Sequence, residues 1–313
     1  MPPIRSIAIL FHERHRGAEG MNYRIWAIAA NWRAAGIKVD PVWGPSRQID
    51  ADLLIPHLDV SYIPDDYWAV IQRHPNVVNR RVRDIRKAAY SVNIVKPGDS
   101  YDGPVIVKTN GNCGGNFDEW LEGGGRPVSL PARALRRLKQ LPVVERRRLG
   151  SARTLARYYL FDSPRQVPRA AFANPHLVVE KFLPERRDGR YICRLWNFLG
   201  DRSLGRILSS EEPIVKSWNS TMEERTEVPP EIAAWRDRLG VDYGKIDYVI
   251  HNGVPVLIDV NTTPTVTGPI LPRHVERSAV LAEGLAAFAD QAMEASSRIR
   301  STSSSKPYPK TDA

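Results

Sequence analysis

A strand pair around an Asn-Gly turn constrains this chain more than any other stretch of its sequence. The segment "KIDYVIHNGVPVLIDVN", residues 245–261, has strand-type runs on both sides of the turn at His251-Asn252-Gly253. Asn-Gly between two such runs predicts a β-hairpin with a two-residue loop. The hairpin therefore fixes which side chains of residues 245–261 share a face, because side chains alternate along a strand.

Oxygen-bearing side chains interrupt both apolar strands of this hairpin. Lys245 and Asp247 share one face of the first strand, and Asp259 and Asn261 share one face of the second. Mg²⁺ prefers one or two carboxylates, with substrate phosphates completing its coordination. We predict a metal site at Asp247, Asp259 and Asn261. The hairpin alone leaves open the alternative that these are ordinary polar positions on a half-exposed strand.

A lysine just before a glycine-rich loop is the second informative feature. "VIVKTNGNCGGN", residues 105–116, reads as a β-branched strand that ends near Lys108 and continues into glycines. Glycines let backbone N–H groups approach phosphate oxygens, and a lysine supplies a point charge. It is not a Walker A motif, because the lysine precedes the glycines. The alternative is a plain glycine loop.

A third segment, "LVVEKFLPE" at residues 177–185, is a strand that runs into a proline turn. Such a strand can offer backbone groups to an adenine edge. Alone, it is equally a buried strand that ends in exposed charges.

In this order and spacing, the three segments resemble the ATP-grasp superfamily, especially carboxylate–amine ligases such as glutathione synthetase and D-alanine–D-alanine ligase. The resemblance spans about residues 1–295, and its most specific part is "DVNTTP", similar to the family's closing Glu-x-Asn-x-x-Pro. It implies an α/β and α+β chain with the ATP-grasp fold, in which a small N-terminal α/β lobe precedes two α+β subdomains that clasp ATP. The expected limits are 1–79 for the lobe, 80–179 and 180–295 for the subdomains, and 296–313 for a disordered tail.

The resemblance also implies a role for individual residues. Lys87 and Lys108 would meet the phosphates, with Arg86 a competitor of Lys87, and Lys245 and Arg206 would be catalytic. Asp247, Asp259 and Asn261 would hold Mg²⁺, with Mn²⁺ as an alternative. The implied nucleotide-binding residues are Lys87, Lys108, Gly111, Gly114, Gly115, Glu180, Lys181, Phe182, Leu183, Glu185 and Asp188.

The implied reaction is an ATP-dependent ligation. A substrate carboxylate attacks the γ-phosphate of ATP, and an amine then captures the acylphosphate. The substrates would be small molecules or peptides that bear a carboxylate or an amine. An ATP-grasp kinase and a nucleotide-binding regulatory protein with little turnover are the alternatives.

Two departures from the family pattern weaken the catalytic inference relative to nucleotide binding. The family usually has glutamate where this chain has Asp259, and often arginine where it has Lys245. A shorter carboxylate bridges two metals less well, and lysine lacks the bidentate fork of arginine.

The chain has a net charge of +10, which indicates anionic partners. Neither a zinc pattern nor an RNA-binding sheet signature accompanies this charge, so we do not expect nucleic acid as the partner. No run of about 18 apolar residues occurs, and no membrane association is expected. Two distant cysteines favour a reduced, cytoplasmic setting. The oligomeric state is left open.

His12, Arg14 and His15 follow the first predicted strand, at the edge where open α/β sheets place ligands. They could bind a substrate carboxylate, but the sequence favours a charged surface loop.

Overall fold

The computed structural model describes residues 4–15, 21–46, 48–122 and 141–289. The chain begins with a small α/β lobe around a parallel three-stranded sheet of order β2-β1-β3. Apolar runs buried on both faces build the strands Ser6–Phe11 and Leu53–Pro56, as expected for a covered parallel sheet. The elements of the lobe are β1 (Ser6–Phe11), α1 (Arg24–Ala34), β2 (Lys38–Trp43), β3 (Leu53–Pro56) and α2 (Asp65–Arg73).

The second unit contains a small antiparallel sheet of order β5-β4-β6. One face of this sheet packs on the core with Leu149 through residues 105, 107, 177 and 179. The opposite face lines a cleft. Its elements are α3 (Lys87–Tyr90), β4 (Val105–Thr109), α4 (Asn116–Glu122), α5 (Pro142–Arg147), β5 (Tyr159–Phe161), α6 (Arg169–Phe172) and β6 (Leu177–Lys181).

The third unit is a larger antiparallel sheet of order β10-β9-β8-β11-β12, with β7 paired to β8. One face packs on a helix that begins with Pro230 and is closed by left-handed Gly240. Its elements are β7 (Glu185–Arg187), β8 (Arg190–Leu199), β9 (Arg202–Ser210), β10 (Met222–Arg225), α7 (Pro230–Leu239), β11 (Tyr243–His251), β12 (Val254–Asn261) and α8 (Pro272–Glu283).

The end of the described chain returns to the N-terminal lobe. Helix α8 packs against α1, and the Trp32 indole Nε1 donates to the Ala282 carbonyl at 2.9 Å. Leu281 and Phe288 lie in the same apolar cluster as Ile9. The lobe core therefore includes residues from both ends of the chain.

The mixed α/β and α+β architecture predicted from the sequence is confirmed. The predicted hairpin is present and turns at Asn252-Gly253, and a second hairpin turns at Gly200-Asp201. The positive φ of 51° at Asn252 and 82° at Gly253 suits the Asn-Gly turn. The domain limits stay a prediction; β6 runs across the expected limit at residue 179 and pairs with β4.

The sequence of residues 80–100 favours a basic helix followed by a Pro/Gly turn, but only Lys87–Tyr90 is helical there. Other contacts hold the preceding residues. The Arg80 guanidinium donates to three backbone carbonyls, including that of Pro75 at 2.8 Å, and the Ile85 amide donates to the Ser61 carbonyl. Tertiary contacts have overridden local propensity.

No helix among the described residues is long and apolar enough to cross a membrane. The predicted tail, residues 296–313, lies outside the described residues.

Candidate active site

The hairpin brings its two aspartates directly opposite each other. Asp247 on β11 pairs with Asp259 on β12, and Lys245 pairs with Asn261. The register then shifts, so that Tyr248 faces Leu257 and Ile258 is an extra residue on β12. Such β-bulges bend a strand and re-aim side chains, and they are frequent beside active sites.

Two groups from α3 hold the Asp259 carboxylate. The Lys87 ammonium lies 3.0 Å from Asp259 Oδ1, and the Tyr90 hydroxyl donates to the same oxygen at 3.2 Å. Burial opposes ionisation, but Lys87, Lys108 and Lys245 together lower the pKa of Asp259 to about 2. Asp259 is therefore a carboxylate at neutral pH, with 22% of its side chain exposed.

Lys87 is a buried cation, with only 2% of its side chain exposed. Burial would lower its pKa, but the adjacent Asp259 raises it above the ordinary lysine value. Lys87 Nζ also donates to the Gly111 carbonyl at 3.4 Å, at the start of the glycine loop. Arg86 instead points to Asp84 at 2.6 Å, so the structure places Lys87 in the cleft and Arg86 outside it.

Lys108 and Glu180 form a second buried ion pair, with 5% and 4% of their side chains exposed. They lie on the same face of neighbouring strands β4 and β6. Lys108 Nζ also donates to the carbonyl of the bulged Ile258 at 3.3 Å, which joins the two sheets across the cleft. Glu180 Oε1 is buried with no hydrogen-bond partner among the described residues.

Lys245 and Asp247 form the third pair, at 2.9 Å through Asp247 Oδ2. Burial opposes the charge of Lys245, but the Asp247 carboxylate raises its pKa. The other oxygen, Asp247 Oδ1, is buried and has no hydrogen-bond partner within the described ranges. A buried carboxylate oxygen without a donor is a natural acceptor for a cation.

The amide of Asn261 is engaged by its own turn. Asn261 Oδ1 accepts from the Thr263 amide at 2.7 Å and from its hydroxyl at 3.2 Å. The Thr263 hydroxyl is also 2.6 Å from Asp59 Oδ1, and Asp59 accepts from Tyr23 at 2.8 Å. The Thr263 hydroxyl has one proton and its shorter contact is with Asp59, so Asn261 keeps one acceptor position, and the turn is tied to the N-terminal lobe.

Two of the ion pairs and the Asp247 carboxylate of the third line one cleft between the two antiparallel sheets. Ile106 covers one side, and Ile192, Val249 and Leu257 cover the other, so the walls of the cleft are apolar. The predicted residues that line this cleft are Lys87, Lys108, Glu180, Lys181, Phe182, Leu183, Asp247 and Asp259.

The remaining predicted residues lie elsewhere. Gly111 and Gly115 line a neighbouring cavity against the N-terminal lobe, and Asp188 sits at the exposed tip of the β7–β8 turn. Glu185 is buried and paired with Arg194 at 2.7 Å. Lys245, Asn261 and Arg206 line a second cavity that adjoins the cleft through Asp247.

Sequence reasoning missed Lys216. This lysine lines both the cleft and the adjoining cavity, and its Nζ lies 4.7 Å from the centre of the Tyr158 ring. It belongs to the connection between β9 and β10, where "EEPIVKSWN" carries no motif. No local signal marks it, because its place depends on the packing of two sheets.

The expectation of a charged surface loop at His12 and His15 is wrong. Both histidines are buried, and the ring centroid of His15 lies 4.6 Å from that of Phe117 on α4. Burial lowers the pKa of both imidazoles, so they pack as neutral rings under the glycine loop. The apolar partner Phe117 is about 100 residues away, so the sequence gives no hint of this contact.

No family model and no curated protein match the chain. Among solved structures, a D-alanine–D-alanine ligase from Bacillus anthracis matches with 13% identity and a TM-score of 0.47, over 95% of this chain and 99% of that one. A RimK domain protein, ATP-grasp, from Sphaerobacter thermophilus matches with 13% identity and a TM-score of 0.47, over 92% and 99%. The macrocyclase MdnC from Microcystis aeruginosa, bound with precursor peptide MdnA, matches with 10% identity and a TM-score of 0.43, over 90% and 99%.

The identities and TM-scores are low, and we therefore base the functional proposal on the side chains of the cleft.

Proposed function

We propose that this chain is an ATP- and Mg²⁺-dependent ligase that joins a carboxylate to an amine through an acylphosphate. One observation supports this most directly: two buried lysines and three carboxylates line one apolar-walled cleft, and a third lysine pairs with one of these carboxylates from the adjoining cavity. The pairs are Lys87–Asp259, Lys108–Glu180 and Lys245–Asp247.

The lysines suit a triphosphate. Each one is now neutralised by a carboxylate, and each can turn to a phosphate oxygen when the nucleotide enters. Lys87 and Lys108 approach from the side of the small sheet, and Lys245 from the larger one. A phosphate between them would be held from two directions, which is how phosphoryl transfer is stabilised by positioning and charge.

The adenine end of the cleft is also consistent with ATP. Glu180 Oε1 is an acceptor without a partner among the described residues, and it lies at the edge of the apolar slot. An exocyclic amino group such as that of adenine would supply the missing donor.

The donor set also fits a divalent cation. No group of three or more His, Cys, Asp or Glu side chains suitable for a metal occurs among the described residues. Mg²⁺ does not need one, since it is bound by one or two carboxylates plus phosphate oxygens. Asp247 Oδ1 and Asp259 would hold the ion, and Asn261 Oδ1 would offer it the acceptor position that the Thr263 backbone amide leaves open.

In the proposed reaction, an oxygen of the substrate carboxylate attacks the γ-phosphorus, and the bond from that phosphorus to the ADP oxygen breaks. The amine nitrogen then attacks the acyl carbon, the C–N bond forms, the bond from that carbon to the phosphate oxygen breaks, and phosphate leaves with the proton that the amine gives up. Bound Mg²⁺ would neutralise the phosphate charge. The protein orients the phosphates through Lys87, Lys108 and Lys245, and its apolar walls exclude water from the acylphosphate.

The first test is a calorimetric titration of MgATP and of adenosine into the wild type and Lys108→Met. We expect Lys108→Met to weaken MgATP at least tenfold while adenosine changes little, because lysine contacts the phosphates. Lys96→Met removes a lysine from an exposed turn and is the matched control. Lys108→Met leaves the Glu180 carboxylate buried without its cation, which is destabilising. If this variant does not fold, the double variant Lys108→Met/Glu180→Gln takes its place.

Equal losses for ATP and adenosine would mean that Lys108 acts structurally. No binding of MgATP by the wild type would contradict the proposal outright.

If MgATP binds, turnover distinguishes a ligase from a kinase and from a regulatory nucleotide-binding protein. A ligase releases ADP and phosphate only with both a carboxylate and an amine, whereas a kinase releases ADP without free phosphate. A regulatory binder releases neither.

A further inference from the structure

The chain contains two Asn-Gly dipeptides, and their surroundings differ. Asn110-Gly111 lies at the start of the glycine loop, and Asn252-Gly253 forms the tip of the β11–β12 hairpin. In an Asn-Gly pair the glycine nitrogen can attack the carboxamide carbon of the asparagine, because glycine has no side chain to block the approach. The asparagine side chain must be free to turn towards that nitrogen. The contacts of each asparagine therefore decide which dipeptide can react.

Four hydrogen bonds hold Asn110 in place. Its Oδ1 accepts from the Ala88 amide at 2.9 Å, and its Nδ2 donates to the Pro175 carbonyl at 3.1 Å. Its backbone amide donates to the His176 carbonyl at 2.8 Å, and its backbone carbonyl accepts from the Lys87 amide at 2.9 Å. Both ends of the carboxamide are thus tied to the backbone of other segments. The side chain cannot turn towards the next residue without breaking these bonds.

Asn252 is held much less. Asn252 and Gly253 are both exposed, and a Cβ at Gly253 would have no heavy atom of the described chain within 4 Å beyond its sequence neighbours. Within the described ranges, the hydrogen-bond partner of the Asn252 carboxamide is the imidazole of His251, with 3.3 Å between Nδ2 and Nε2. The side chain of Asn252 therefore has only one contact to give up before it turns.

The imidazole of His251 is fixed in one tautomer. Its Nδ1 lies 2.8 Å from the Pro184 carbonyl, which can only accept, so Nδ1 carries the hydrogen. In the neutral ring Nε2 is then the unprotonated nitrogen, and Asn252 Nδ2 donates to it. The carboxamide nitrogen of Asn252 thus faces a ring nitrogen that can take up a proton and release it again.

We propose that Asn252 is a site of self-modification, at which the Gly253 nitrogen displaces ammonia with the help of His251 and leaves aspartate or isoaspartate at the hairpin tip. The Gly253 nitrogen bonds to Cγ of Asn252, and the bond from Cγ to Nδ2 breaks. His251 Nε2 passes the proton given up by the Gly253 nitrogen to Nδ2, which leaves as ammonia. Solvent water then opens the cyclic imide at one of its two carbonyls, which gives aspartate or isoaspartate at position 252.

The hairpin tip has to open transiently for this attack, because the chain must rotate between Cα of Asn252 and its carbonyl carbon. Local openings of this kind occur at a small free-energy cost where few buried contacts are lost. Val254, the first residue after the turn, is 61% exposed, and Gly253 has open space around it. The fold therefore opposes the reaction far less at Asn252 than at Asn110.

The modification would alter the loop that sets the pairing of β11 and β12. An isoaspartate carries the main chain through its side chain and so adds one methylene to the two-residue loop. Loop length and turn type fix the register of a hairpin, and these two strands carry Asp247 and Asp259. The inference does not depend on the proposed ligase activity, although its product would lie on the strands that bear the proposed metal ligands.

The test is peptide mapping by mass spectrometry of the native protein and of the protein in urea, sampled over days at mildly alkaline pH. The mass gain of deamidation is assigned by fragmentation to Asn110 or to Asn252, and isoaspartate is detected with an isoaspartate methyltransferase. The two dipeptides are matched controls within one molecule. His251→Gln is incubated alongside, because glutamine can still donate to the Pro184 carbonyl but does not exchange protons.

In the native protein we expect Asn252 to react about tenfold faster than Asn110 or more, since two hydrogen bonds of the Asn110 carboxamide must break first. In urea the difference should fall below about threefold, because both asparagines then precede glycine in an unfolded chain. His251→Gln should slow the native reaction of Asn252 roughly tenfold, as a positioned proton-transfer group is lost, and should change its rate in urea less than about twofold.

Equal native rates at the two asparagines would overturn the inference, as would modification of Asn252 in urea alone. An unchanged native rate of Asn252 in His251→Gln would overturn the role of the imidazole. If His251→Gln does not fold, the comparison of Asn252 with Asn110 in the wild type decides alone. A wild type that modifies Asn252 but does not bind MgATP would contradict the proposed ligase and leave this inference intact.

Discussion

Breaking the Lys87–Asp259 pair should destabilise the protein by about 3 kcal/mol. The pKa of Asp259 falls from 3.8 to about 2, and each pKa unit is worth about 1.4 kcal/mol, so the surrounding cations favour the ionised carboxylate by about 2 kcal/mol net of burial. Asp259→Leu in addition leaves the Lys87 ammonium buried without its carboxylate, and such losses cost about 3–5 kcal/mol. The 22% exposure of Asp259 places the expected value at the lower end.

The measurement is a double-mutant cycle by urea denaturation of wild type, Asp259→Leu, Lys87→Met and the double variant. The double variant leaves no unpaired charge at these two positions. Its decrease in the free energy of unfolding should therefore be smaller than the sum of the two single decreases by about 2 kcal/mol. The Lys38–Asp40 pair is the matched control, since both side chains are exposed and an exposed pair contributes about 0–1 kcal/mol. A coupling energy below about 0.5 kcal/mol for Lys87–Asp259 would refute a buried ion pair at this position.

Two further results are expected. Burial lowers the pKa of His57 to about 3, so its contribution to stability is complete above pH 6.5 and falls by about 1.4 kcal/mol per pH unit below it, because only the unfolded chain takes the proton. Urea titrations between about pH 6 and 5 should show a shallower slope for His57→Phe by about that amount, and an unchanged slope would contradict the assignment. The Ser61 hydroxyl accepts from the Asn112 amide at 2.7 Å, so Ser61→Ala should speed hydrogen exchange of that amide roughly tenfold; the exposed Ser203→Ala is the control, and equal exchange in both variants would show that the glycine loop does not depend on this contact.

Much of the local structure could be predicted from the sequence, because it depends on local signals. Alternating strands around Asn252-Gly253 determine the hairpin, but the regular register that starts at His251 and Val254 would set Asp247 opposite Ile258 and would place Asp259 on the other face. The bulge at Ile258 could not be predicted in this way, since nothing in "VLIDVN" marks an extra residue. The same holds for Lys216, which reaches the cleft only when two sheets come together.

The two departures from the ATP-grasp pattern have a common physical effect in this structure. Lys245 touches Asp247 through one oxygen at 2.9 Å and leaves Asp247 Oδ1 without a partner among the described residues. An arginine at position 245 could donate to both oxygens of Asp247 through its bidentate guanidinium, and it would compete with a cation for the carboxylate. Asp259, in turn, has one oxygen beside Lys87, and a glutamate would carry its carboxylate one methylene further from its strand. The shorter side chain of Asp259 thus suits its short distance from the buried Lys87. At both positions that depart from the family pattern, a carboxylate is paired with a lysine. For this reason we regard Lys245 and Asp259 as compatible with a working metal site.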